Sequence, residues 1–134
     1  MKYLSVENVV EINKKTILEY SPAERIGILN EGLLESAVHR PQQSLFGEDA
    51  YKTVYDKAAV LFESLALNHC FENGNKRTAF WALLVFLRVN GYELLVDDEE
   101  GIKFTLGVVV DKMSWEESSK FIEDNSILIK DNGS

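Results

Sequence analysis

The sequence is poor in the residues that staple small proteins together. Of 134 residues, one is cysteine, two are histidine and two are proline. Cys70 has no partner for an internal disulfide, and two histidines with one thiol leave too few ligands for a structural zinc site. Long apolar runs are also missing. The longest, Ala79 to Leu87, has nine residues, and a helix crossing a bilayer needs about 20, so no membrane span is expected. Positive charge is short as well: 14 Lys and Arg against 22 Asp and Glu leave a net charge of −8. That sign does not suit a protein gripping nucleic acid with its whole surface, and no direct nucleic-acid binding is expected. A local basic site remains open.

What is present reads as one even domain over residues 1–134, without repeats or low-complexity runs. The N-terminal residues lack the apolar core and cleavage site of a secretory signal. A cytoplasmic location with a reduced thiol is the expectation.

Apolar spacing is helical almost throughout. Ser5 is placed to cap a first helix that carries Val6, Val9, Val10, Ile12 and Ile17 and ends near Tyr20. Ser21-Pro22-Ala23-Glu24 has capping-box form, but Gly27 follows closely, so a short turn is expected. Asn30 caps a second helix with Leu33, Leu34, Ala37 and Val38, stopped by Pro41 soon after Arg40. Residues 42–49 read as a loop. Two helices with little polar surface follow, from about Ala50 to Asn68 and from Lys76 to Val89, separated by a break at Phe71 to Asn75. Helices apolar on nearly all sides belong at the centre of a bundle.

Beyond the Asn90-Gly91 stop, Tyr92 to Val96 predicts an extended link. Asp97 to Glu100 open a helix reaching about Lys112, and Ser114-Trp115-Glu116-Glu117 boxes a final helix to about Ile122. Val108 to Val110 and Ser126 to Ile129 favour strand locally, and residues 131–134 look frayed. The fold class is all-α: a compact bundle of about six helices around two buried central ones.

One helix start breaks the local rules. Lys76 and Arg77 stand at the positive end of a buried helix dipole, which costs about 0.3–1 kcal/mol per charge unless an anion is nearby. Just before them, Asn73-Gly74-Asn75 tolerates left-handed backbone, so successive N–H groups can form a phosphate-binding nest. The competing reading is a plain turn beside solvated cations. His69, across the break, is placed either as a helix cap or as a general base facing that nest. Phe71 is the apolar residue suited to plug the loop into the core. Cys70 reads as a buried, inert thiol.

The run His69-Cys70-Phe71-Glu72-Asn73-Gly74-Asn75-Lys76-Arg77-Thr78 resembles the signature of the Fic/Doc superfamily, in its Doc (death-on-curing) toxin branch. The likeness extends upstream through Gly32-Leu33-Leu34-Glu35-Ser36-Ala37 and Arg40-Pro41-Gln42, and downstream through Phe86-Leu87-Arg88-Val89-Asn90-Gly91. The resemblance implies a small helical bundle with His69 as the base that deprotonates a target hydroxyl. It implies Phe71 as loop anchor, Gly74 and Asn75 as shapers of the anion hole, and Lys76 and Arg77 as ligands of nucleotide phosphates. Residues 42–49 correspond to a flap that lines up the target segment.

AMP-transferring Fic enzymes carry Gly at the position of Lys76 and a second Arg at that of Phe80. Doc toxins share the Lys and pass the terminal phosphate of ATP to a Ser or Thr hydroxyl. The resemblance therefore implies an ATP- and magnesium-using phosphotransferase of a toxin–antitoxin pair. Its target would be a translation elongation factor, and its restraint a Phd-like antitoxin. AMP transfer, or a non-catalytic Fic-fold binding module, is the alternative. Asn73 occupies the position usually held by a magnesium-binding acid, and an amide oxygen brings no charge there. Ser119 and Glu123 have the spacing of a restraining motif found in some AMP-transferring relatives, but Asp124 breaks it.

Overall fold

The computed structural model describes residues 1–129, so the tail expected to fray at 131–134 lies outside the described residues. Among the described residues six α-helices dominate: α1 Val6–Tyr20, α2 Glu31–His39, α3 Val54–Leu67, α4 Asn75–Val89, α5 Asp98–Val109 and α6 Trp115–Asp124. Four short strands complete it, β1 Ser44–Leu45, β2 Glu48–Asp49, β3 Tyr92–Leu94 and β4 Ser126–Leu128, pairing β1 with β2 and β3 with β4, both antiparallel. The helical bundle expected from the apolar spacing is the observed class.

Side-chain caps set most helix starts. Ser5, Asn30, Thr53, Asp97 and Ser114 each accept a hydrogen bond from a backbone N–H of the first turn. Thr53 corrects one boundary. It forms a capping box with Asp56, so α3 begins at Val54 rather than near Ala50. The preceding residues have another task, because the Lys57 ammonium binds the Tyr51 carbonyl and the Asp49 carboxylate.

The predicted loop at 42–49 is also more ordered than expected. After the 3₁₀ turn Arg40–Gln42, the chain makes a hairpin with Phe46 and Gly47 at its tip, both at positive φ (52° and 80°). Two residues of that conformation match the right-handed strand twist.

The centre is α3 packed on α4, with α6, α2 and α5 against α3 and α1 across α4. Ala58, Ala59, Val60, Leu61, Phe62 and Leu65 of α3 and Ala79, Ala82, Leu83, Phe86 and Leu87 of α4 are buried. Phe104 of α5 ties the far side, with its ring centroid 5.0 Å from Phe62 and 4.5 Å from Phe121.

Two strand-favouring segments resolve differently. Val108 and Val109 stay helical because Val108 is taken into the core, where burial outweighs a weak local preference. The α5 helix then ends at Val109, short of Lys112, which adopts φ 56°. Ser126–Leu128 does form strand, in register with Leu94, Glu93 and Tyr92.

Candidate functional site

The α3 helix stops at Leu67 with Asn68 as C-cap, and His69 follows at φ 50°. That left-handed position is the one helices usually give to glycine, and it costs an L-residue about 1–2 kcal/mol. Its imidazole is left exposed. Strain of this kind gathers at functional sites.

Cys70 and Phe71 next turn inward and are buried. Burial pushes the Cys70 thiol up from its usual range, matching an inert thiol. The backbone here is tied to the segment before α2. The Cys70 carbonyl accepts from the N–H groups of Leu29 (2.8 Å) and Asn30 (3.1 Å), and the Glu72 N–H donates to the Gly27 carbonyl (2.9 Å).

Asn75, the first residue of α4, clasps the loop from the other end. Its Oδ1 accepts from the Phe71 N–H at 3.0 Å and its Nδ2 donates to the Phe71 carbonyl at 2.9 Å. The side chain therefore shapes the loop and keeps one Nδ2 hydrogen beyond these two bonds. Asn73 is similarly engaged, its Nδ2 donating to the Arg25 carbonyl at 3.0 Å.

Gly74 is the N-cap of α4, at φ 74°, and lies against α1. A Cβ there would come within 3.3 Å of Ile17 Cγ1 and 3.4 Å of Asn13 Nδ2. Asn13 is buried and donates to both the Asn73 carbonyl (2.9 Å) and the Thr78 hydroxyl (3.0 Å), which lie on either side of that glycine. The loop is thus a preorganised backbone element, held by α1 on one side and by the 25–30 segment on the other.

The result at the start of α4 is unlike the other helices. Of the six α-helices it alone has no side-chain cap and no acid in its first turn. Lys76 and Arg77 are exposed there. Among the described residues neither makes a salt bridge or a side-chain hydrogen bond. Arg77 is nevertheless oriented, its guanidinium 4.2 Å from the centre of the Tyr20 ring. Uncapped N–H groups, a helix dipole and two cations together favour an oxyanion such as a phosphate.

The family profile described as Fic/DOC matches residues 3–87, well over half of the chain. The chain belongs to the Fic/DOC family. It is 53% identical over 66 residues to "Toxin Doc" of Mycolicibacterium smegmatis, covering 49% of this chain and 51% of that protein. The chain so spans about half the length of that relative. It is also 27% identical over 114 residues to "Protein kinase doc" of Escherichia phage P1, covering 85% of this chain and 87% of that one.

The loop of this Fic/DOC chain offers backbone N–H groups and cations, which suit an anion, more than it offers metal ligands. Among the described residues no three His, Cys, Asp or Glu side chains gather into a metal site. Asn73 Oδ1 has no donor among the described residues, but it is neutral, and the exposed Glu72 carboxylate is the charged oxygen donor nearest to it in the loop sequence.

Phe80 lies one turn along α4, and its ring reaches α5 so closely that a Cβ on Gly101 would sit 2.9 Å from Cζ. Ser119 lies far from the loop in chain terms. Its hydroxyl donates to Asp56 at 2.6 Å, in the first turn of α3, while His69 follows the last turn. No helix among the described residues is long and apolar enough to cross a membrane.

Sequence reasoning assigned no functional role to Asn13, Arg40, Lys57 or Tyr20. A signal existed for the first: Val9, Asn13 and Ile17 share one face of α1, so a polar residue stands inside the buried stripe. Lys57 is likewise embedded in the apolar run of α3.

Proposed function

We propose that this protein is a Doc-like toxin that transfers the terminal phosphate of ATP to a Ser or Thr hydroxyl of a target protein. A translation elongation factor is the expected target, and translation arrest the consequence. The observation carrying this reading is the bare, doubly cationic N-terminus of α4, joined by one short loop to the strained and exposed His69.

In this reading His69 removes the proton from the acceptor hydroxyl. The oxygen then forms a bond to the terminal phosphorus, while the bond from phosphorus to the bridging oxygen of the leaving ADP breaks. Loop N–H groups, Lys76 and Arg77 hold the phosphates and oppose the charge that develops on them. Gly74, Asn75 and Phe71 act by keeping the loop in shape. Most of the rate enhancement comes from positioning and electrostatics. Asn73 Oδ1 and the Glu72 carboxylate are the loop oxygens that would hold magnesium, which would supply further charge neutralisation.

The acceptor segment would lie along the hairpin. Between its root and the end of α3 is a polar cleft of about 260 Å³, lined by Arg40, Gln43, Glu63, Ser64 and Asn68, which suits a polar side chain of the target. Adenylyl transfer is disfavoured because Phe80 is committed to packing on Gly101, where AMP-transferring relatives carry an arginine.

Restraint by a Phd-like antitoxin has its own support. An apolar cleft of about 290 Å³ runs beside α4 and β3, lined by Trp81, Leu84, Val85 and Tyr92, and a folding-upon-binding tail gains most from such a surface.

The test incubates the purified protein with ATP, magnesium and the elongation factor that carries aminoacyl-tRNA, then reads the factor's intact mass. A phosphoryl increment that vanishes in His69→Ala is expected. An adenylyl increment, or a phosphoryl increment that survives in folded His69→Ala, would overturn the reading.

A further inference from the structure

Among the described residues, Lys57 is the largest fully buried side chain that carries a charge, with 2% of its surface exposed. Burying an ammonium costs several kcal/mol unless its donors are all met. Here they are met: Nζ donates to the Tyr51 carbonyl at 2.7 Å, the Pro41 carbonyl at 3.2 Å and the Asp49 carboxylate at 3.2 Å. Three acceptors match the three N–H donors of lysine.

All three acceptors belong to one piece of chain. Pro41 enters the hairpin, and Asp49 and Tyr51 leave it. Between them residues 42–50 are exposed throughout, so burial of their own side chains does not hold the hairpin in place. Its ladder is only two residue pairs, supported by one further bond from the Ala50 N–H to the Gln43 carbonyl. So short a hairpin is marginal by itself.

Arg40 supplies a second tie. Its guanidinium donates to the Tyr51 hydroxyl at 3.1 Å, Glu63 at 2.9 Å and Ser64 at 3.0 Å. Lys57 therefore grips the hairpin from the first turn of α3, while Arg40, just before the hairpin, reaches Glu63 and Ser64 in the later turns of that helix. The same helix leads directly into His69.

The geometry points to Lys57 as a positioning residue that fixes the hairpin's root relative to His69, and so sets where an acceptor segment lying on the hairpin meets the base. The positioning of substrate rests on the function proposed above, while the anchoring of the hairpin does not. An apolar residue in this place would leave the Pro41 and Tyr51 carbonyls without their donor and Arg40 as the remaining side-chain tie described between the hairpin's root and α3. The buried charge serves to join three points of chain that no single aliphatic side chain could join.

The test compares wild type, Lys57→Met and Asp49→Ala by amide hydrogen exchange and by steady-state kinetics with the elongation factor. Asp49 is half exposed, so Asp49→Ala keeps the ammonium on its two carbonyls and tolerates the loss without unfolding. Exchange at residues 43–50 should quicken about tenfold in Lys57→Met and about threefold in Asp49→Ala, with α4 amides unchanged. The KM for the protein target should rise about tenfold in Lys57→Met while ATP affinity holds.

Unchanged hairpin exchange in both variants would overturn the anchor, as would an equal loss of protection throughout the molecule. A quickened hairpin with an unchanged KM would overturn the positioning of substrate. A wild type that transfers nothing would count against the proposed function alone, and the exchange comparison would still decide the anchor.

Discussion

Replacing Gly74 by alanine probes the loop with a built-in control. At Gly74 the methyl must accept φ 74° and approach Ile17 Cγ1 and Asn13 Nδ2 at 3.3 and 3.4 Å. At Gly91 it must accept φ 88° but meets nothing within 4 Å. Both variants incur the left-handed penalty of an L-residue, about 1–2 kcal/mol.

Only Gly74→Ala has crowding to relieve. Asn13 Nδ2 is fixed by two hydrogen bonds, and Ile17 is packed in the interior, so neither gives way without loss. Overpacking adds about 1–2 kcal/mol. The expected losses are about 2–4 kcal/mol for Gly74→Ala and about 1–2 kcal/mol for Gly91→Ala. Urea unfolding with equal m-values is the assay. Combining Gly74→Ala with Asn13→Ala should be less costly than the sum of the two, by about 1 kcal/mol, because the shortened side chain makes room. A Gly74→Ala variant no less stable than Gly91→Ala would refute the claim that α1 is pressed against the loop.

Asn13→Ala alone leaves the Asn73 carbonyl without its donor and Thr78 Oγ1 with only a 3.4 Å contact to Thr16; a loss of about 2–4 kcal/mol in urea unfolding is expected. Tyr20→Ala removes the ring that orients Arg77 and should weaken ATP binding about two- to fivefold by titration calorimetry, while Tyr20→Phe retains it. The burial that raises the Cys70 thiol should keep it unreactive to iodoacetamide at pH 8 in the native state and expose it in urea. The sign for stability follows from the same shift. The unfolded thiol ionises first, so this contribution is complete below the ordinary thiol range and is lost as pH rises through it toward the folded value.

Much of the fold was legible because helix rules act over three or four residues. Ser5, Asn30, Asp97 and Ser114 announced helix starts, and the apolar surfaces of α3 and α4 marked the centre. Errors fell where a distant partner decides. The α3 helix starts late because Lys57 needs Asp49 and Tyr51 outside the helix. The α5 helix ends at Val109, short of Lys112, and residues 42–49 form a hairpin whose order comes largely from its roots.

The site divides the same way. The sequence by itself determined that a histidine, a flexible turn and two adjacent cations stand within nine residues from His69 to Arg77, because that grouping is contiguous and a helix dipole has a known direction. Only the tertiary structure decided that Asn75 holds the Phe71 backbone rather than facing outward. It also decided that Tyr20 orients Arg77, that Asn13 of α1 braces the turn and that Lys57 ties down the hairpin. Those partners are mostly many residues apart in sequence. Which buried donor meets which acceptor is settled by how the helices pack, and local spacing carries no record of that choice.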